Sequence, residues 1–148
     1  MKNLKLSIAA LALFAACTIA NANGVGYIDY ARVIDNYDYA KQVTKEVDAK
    51  GLEMQQFLVD KEKEYKSLDT PLKKQTFEEK VSQELKAKQT AYVNLKTKRE
   101  QEVYTKIKNA AKAVMVEQKL DAIMDDRGVF VGGVDITDSV ITKLKTTK

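Results

Sequence analysis

The sequence predicts an α+β protein in which a long antiparallel α-helical coiled-coil hairpin projects from a small β-sheet body. Three observations lead there. Val25-Gly26-Tyr27-Ile28 has the residue types and alternation of a short strand. About ninety residues of mostly charged, helix-periodic sequence follow it. Apolar strand-length runs return only after Leu120. A strand separated this far from its partners implies that the chain leaves the body, turns and comes back.

The chain opens with a segment that reads as a secretory signal. Lys2 and Lys5 form a basic start, Leu6 to Ala16 is an apolar run broken by Ser7, and Ala20-Asn21-Ala22 supplies the small residues of a cleavage site. The apolar run is too short to cross a bilayer. Residues 1–22 are therefore expected to be removed, leaving a mature chain from Asn23 to Lys148 in the periplasm. A second reading rests on Phe14-Ala15-Ala16-Cys17, which resembles a lipoprotein box with Phe in place of Leu; Cys17 would then be lipidated.

The helical middle is next. From Ala40 to Leu68, Val47, Gly51, Met54, Leu58, Lys61, Tyr65 and Leu68 alternate steps of four and three, the seam of a left-handed coiled coil. Asp69-Thr70-Pro71 ends it: Thr70 suits a helix cap and Pro71 the first helical position. Val81, Leu85, Lys88, Tyr92, Leu95 and Arg99 continue the same alternation in a second helix. Successive steps of four beyond Arg99 mark a stutter that locally unwinds the supercoil. The short turn makes the two helices antiparallel neighbours, and ~30 residues at 1.5 Å each give an arm roughly 45 Å long. Phe57, Val59, Phe77 and Val93 lie off this seam. They either widen it or, if exposed, form the arm's candidate binding residues.

Residues 23–38 and 119–148 are left to form the body, with 39–118 as the arm. Leu120 to Met124 and Val129 to Val134 read as strands joined by a hairpin turn at Asp125-Asp126-Arg127-Gly128. Asp135 and Asp138 frame the start of a last helix with Ile136, Val140, Ile141 and Leu144 as its buried stripe. Three such short strands make a marginal sheet with open edges. Self-association around a shared core is the simplest repair, with Val25, Tyr27, Ile28, Ile123 and Phe130 as candidate core residues.

Composition narrows the chemistry. The chain has no His and a single Cys, so common zinc sites and His-dependent nucleophilic triads are excluded. The five aspartates between 121 and 138 lack the ligand spacing of a calcium loop and read as turns and caps. Neither a catalytic site, a metal nor a cofactor is expected. Lys plus Arg number 25 against 21 Asp plus Glu; without Lys2 and Lys5 this is 23 against 21, a net +2. That balance gives no reason to expect nucleic acid as a partner.

Along the whole mature length the chain resembles the Skp/OmpH family of periplasmic chaperones. The resemblance is carried by Val25-Gly26-Tyr27-Ile28-Asp29 with Arg32-Val33-Ile34, and by Leu120 to Asp125, Val129-Phe130-Val131 and Asp135 to Ile141. It implies a jellyfish-like homotrimer whose small β body is built from all three subunits. It further implies three helical arms that enclose unfolded outer-membrane proteins without ATP. Lipopolysaccharide or an anionic membrane surface is a further partner implied by the family, but no residue here matches a motif for it. Two functions follow as alternatives: a holdase, or a coiled-coil envelope spacer anchored at Cys17.

Overall fold

The computed structural model describes residues 24–146, so the signal segment and Cys17 lie outside the described residues. In chain order the elements are β1 (Val25–Ile28), α1 (Tyr30–Asp35), α2 (Asp38–Lys66), α3 (Pro71–Glu117), β2 (Ala122–Asp125), a 3-10 turn (Asp126–Gly128), β3 (Val134–Asp135) and α4 (Thr137–Thr146).

The hairpin forms for the reasons its sequence suggests. Thr70 Oγ1 accepts a hydrogen bond from Lys73 N at 3.4 Å, and Pro71 opens α3 where its missing N–H leaves nothing unsatisfied. Contacts then descend the two helices in opposite directions. Tyr65 packs on Phe77, Phe57 faces Lys88, Gly51 faces the Tyr92 ring, Glu46 meets Arg99 and Tyr39 meets Glu102. At 1.5 Å per residue, α2 with 29 residues is about 44 Å long and α3 with 47 about 70 Å. The extra length of α3 runs down into the base.

One seam position shifts. Leu58, expected inside, is 44% exposed, and Phe57 takes the inward place between Met54 and Lys61. The inward row therefore steps 51, 54, 57, 61, 65, two threes followed by two fours, a local departure from strict alternation within a row that otherwise keeps the seam.

The base holds the packed core. Val33 from α1, Ala40 and Val43 from α2, Val103, Ile107 and Val114 from α3, and Ile136, Val140, Ile141 and Leu144 at α4 are buried together. The expected apolar stripe of α4 is thus inward along its length. Asp29 caps α1 by accepting from Arg32 N at 2.8 Å, and its own N–H donates to Thr137 Oγ1 at 3.0 Å, locking β1 to the start of α4. Asp135 Oδ1 accepts from Thr137 N at 2.9 Å, and Arg32 reaches Asp138 at 2.5 Å. α3 ends in a left-handed residue, Lys119 at φ 55°, with Leu120 N bonded to Met115 O at 2.9 Å and Lys119 N to Val116 O at 3.2 Å. These are the two bonds of a Schellman motif, which turns Leu120 into the core.

The sheet corrects the expected hairpin. Its order is β2-β1-β3 and both outer strands run parallel to β1. β2 and β3 do not pair with each other. Asp125-Asp126-Arg127-Gly128 does not form a hairpin turn: Asp125 caps a 3-10 turn and grips Arg127 instead. Val129 to Gly133 form no strand, and Gly132 and Gly133, at φ +85° and +86°, carry the loop round to β3. An added Cβ at Gly133 would stand 3.0 Å from the Val25 carbonyl oxygen, so the loop needs glycine there both for its backbone angle and for its approach to β1. The N-terminal strand does join the C-terminal strands across the arm, as the separation in sequence suggested.

Candidate functional site

Two surfaces stand out, one on the base and one on the arm. On the base, Gly26 and Ile28 of β1 point into the core; a Cβ on Gly26 would lie 2.7 Å from Leu120 Cδ1. The alternate residues face the other way. Val25 is 39% exposed, Met124 45%, and the adjoining loop carries Phe130 at 102% and Val131 at 86%. Val25, Met124 and residues 128–134 line a shallow depression of about 600 Å³. Parallel sheets are covered on both faces; this one is covered on one. The five residues expected in a shared core are therefore divided by the strand's period of two. Val25, Tyr27 and Phe130 belong to the uncovered side. Ile28 is buried in the chain's own core and Ile123 is packed against it.

On the arm, no residue from Thr44 to Glu102 is fully buried. Phe57 and Phe77 turn inward and are half-buried, with Lys61 between them, its ammonium 5.8 Å from one ring centroid and 5.5 Å from the other. Lys88 stands 4.9 Å from the Phe57 ring, and Lys74 5.4 Å from Tyr65. The seam lysines thus lay their charges on aromatic faces, an arrangement worth about 0.5–1 kcal/mol per contact at exposed sites. Val59 and Val93 point outward at 46% and 57% exposure, joined by Leu52 at 64% and by Leu72 at 73% near the tip. Phe57, Val59, Phe77 and Val93 consequently do not form one patch.

A polar clamp closes the arm's root. The Arg99 guanidinium donates from Nη2 to Glu46 Oε1 at 3.0 Å and from Nη1 to Glu102 Oε2 at 2.9 Å. Tyr39 OH donates to the same Glu102 oxygen at 2.8 Å, while Lys106 stands 5.1 Å from the Tyr39 ring. Arg99 Nε lies 3.0 Å from Glu46 Oε2, close enough for an ion pair but not aligned for a hydrogen bond. The bonds from Arg99 first, and from Tyr39 second, lower the Glu102 pKa from its ordinary value. In the sequence Arg99 is one more position of the second helix's seam. Its partners lie on another helix and on the next turn, and only the register of the hairpin identifies them.

A third feature escaped the sequence altogether. An apolar groove of about 370 Å³ runs between the edge strand β2 and the outer side of α3, among Tyr104, Ile107, Met115 and Ile123, with Lys108 and Lys112 on its rim. Asp125 also borders it, but Arg127 binds that carboxylate through Nε at 2.7 Å and Nη2 at 2.9 Å and holds its pKa down at about 2. Among the described residues no cluster of His, Cys, Asp and Glu is arranged to hold a metal, and no helix is long and apolar enough to cross a membrane.

These features define an α+β protein with a packed base, an uncovered parallel sheet and a loosely packed helical arm. The chain belongs to the OmpH-like family: the family pattern described as Outer membrane protein (OmpH-like) matches residues 24–144, which spans base and arm together. A solved structure from Caulobacter crescentus CB15, described as a candidate outer membrane chaperone (OmpH-like), is similar at 17% identity over 84% of this chain and 85% of that one, with a TM-score of 0.41. No curated protein matches the sequence.

Proposed function

We propose that this protein is an ATP-independent periplasmic holdase, which keeps unfolded outer-membrane β-barrel chains soluble between helical arms. The observation that carries the reading is the family match across residues 24–144, which takes in the whole arm and the whole base. The geometry supports a division of labour. A base with one uncovered sheet face and a fully exposed Phe130 suits assembly with further copies, as a trimer with Val25, Tyr27 and Phe130 at the contact. An arm with no fully buried residue between Thr44 and Glu102 opens at low cost.

Several arms gripping weakly at once gain avidity without a deep pocket. Held chains are withdrawn from the aggregation to which exposed strands and apolar surface expose them. Val59 and Val93 are the client contacts available in the closed arm, and Phe57 and Phe77 become available as it loosens. Export behind a cleaved leader places the mature chain, from Asn23, in the periplasm.

The test is light scattering of a urea-unfolded outer-membrane protein on dilution. The full mature chain should suppress scattering at stoichiometric amounts without ATP. Unchanged scattering across a molar excess of the chain would refute the holdase.

A further inference from the structure

We propose that the base carries a binding pocket for a small carboxylate, built where α3 meets α4 by Tyr37, Lys106, Asn109 and Lys143. The proposal does not depend on the holdase reading, because it concerns the base and a ligand far smaller than a protein client.

Lys106, Asn109, Ala110 and Ala113 follow one another on α3 at steps of three, one and three, which puts them on one face. Tyr37 meets this face from the position just before α2, and Lys143 and Leu144 meet it from the last turn of α4. Side chains as small as Ala110 and Ala113 do not fill the space between the helices, and a cavity of about 410 Å³ remains. That volume lies in the range of small-molecule sites.

The polar groups of the wall are of one kind. Two ammoniums, a phenol and a carboxamide line it without any carboxylate, whereas Asp125 borders the groove beside β2. Tyr37 is only 9% exposed, yet its hydroxyl makes no hydrogen bond among the described residues. Polar groups on buried side chains are normally satisfied, so this hydroxyl calls for a partner from outside the chain. Burial raises the Tyr37 pKa from its ordinary value, which keeps the phenol protonated and able to donate.

The charge balance selects the partner. Lys143 is bound to Glu117. Lys106 makes no ion pair among the described residues, and its ammonium rests 5.1 Å from the centroid of the Tyr39 ring, whose hydroxyl Glu102 holds. A monoanion matches the Lys106 charge, whereas a dianionic phosphate would bring further negative charge beside Glu117. The rest of the wall, Ala110, Ala113 and Leu144, is apolar and suits a short carbon body behind the charge. A carboxylate on such a body meets both demands, either as a free small acid or as the terminal residue of a polypeptide.

Titration of the full mature chain with N-acetyl-leucine at low ionic strength, followed by NMR chemical shifts, tests the assignment. The Asn109 side-chain amide and the backbone at Lys106, Ala113 and Leu144 should shift together and saturate. N-acetyl-leucine amide, which lacks the charge, should bind about tenfold more weakly or worse. Lys106→Met should weaken the acid about tenfold, the size of one charge-assisted hydrogen bond. Tyr37→Phe, which keeps the buried ring, should weaken it about fivefold, and Lys63→Met on the arm should leave it unchanged.

Equal binding of acid and amide, or an affinity unchanged in both Lys106→Met and Tyr37→Phe, overturns the proposal. Inorganic phosphate that binds more tightly than N-acetyl-leucine also overturns it, since the pocket would then be a phosphate site. So does binding to phosphatidylglycerol vesicles that Lys106→Met abolishes, with no shifts from N-acetyl-leucine. A pentapeptide ending in Leu with its carboxylate free separates the two sources. Binding as tight as that of N-acetyl-leucine supports a polypeptide end; binding of N-acetyl-leucine alone supports a free small acid.

Discussion

The base and the arm are built from the same helices but by different rules. Below Val43 and Val103, α2 and α3 join α1, α4 and the sheet around residues such as Val33, Ile136 and Val140, which have no exposed surface. Above that level the same two helices have only each other. Two helices enclose little volume, so half-buried aromatics and lysine stems replace a core. The comparison teaches that the packed core belongs to the base, whereas little of the chain's burial depends on the arm, which is the contrast behind the proposed division into an assembling base and a holding arm.

The largest effect that should separate the regions is a cavity in the base. Ile136→Ala removes atoms from a side chain with no exposure and should cost about 2–5 kcal/mol, whereas Leu58→Ala, half exposed on the arm, should cost about 0.5 kcal/mol. Urea denaturation of both variants, followed by circular dichroism, checks the contrast; similar midpoints would break it.

Next in size is a buried polar tie. Thr137 is fully buried, and its hydroxyl joins Asp29 N to Asp135. Thr137→Val should cost about 1–3 kcal/mol by leaving the Asp29 N–H without a partner. Hydrogen exchange should show that amide accelerated in the variant while the arm is unchanged.

Gly133→Ala should be milder, about 1–2 kcal/mol, since φ is +86° and the new methyl meets the Val25 carbonyl. Its denaturation midpoint should fall, whereas that of Gly132→Ala, at a similar φ but with open space around it, should fall less.

The smallest effect concerns the clamp that separates the regions. Glu102 has its pKa lowered in the folded chain, so its stabilising contribution is complete above the unfolded value and is lost as pH falls through the folded one. Hydrogen exchange around Tyr39, Glu46 and Arg99 should therefore accelerate only below the ordinary Glu pKa of 4.5. With no His in the chain, nothing in the clamp should change between about pH 5 and 8. Loosening of the arm root within that interval would contradict the role given to Glu102.

Legibility in the sequence follows the same divide. The helical period, the Thr70-Pro71 turn and the apolar stripe of α4 are local signals, and each names its own element. Strand pairing is not local: Leu120 to Val134 reads as a hairpin because two apolar runs flank a turn-like tetrapeptide, yet both outer strands instead pair in parallel with β1. Phe130 and Val131 mimic a buried strand because their apolar character serves a surface that the chain itself does not cover. The clamp was hidden for a related reason, since Glu46 and Arg99 meet only once the hairpin's register is fixed.

The central claim is that the base assembles and the arm holds. Glu46 and Arg99 already touch, so residues 49–96 can be replaced by a short turn without disturbing the core below Val43 and Val103. Sedimentation and client scattering measured together on this shortened chain test the claim most directly. The account predicts the same oligomeric mass as the whole chain and a near-complete loss of aggregation suppression. A shortened chain that keeps its mass and suppresses aggregation as well as the whole one would contradict it.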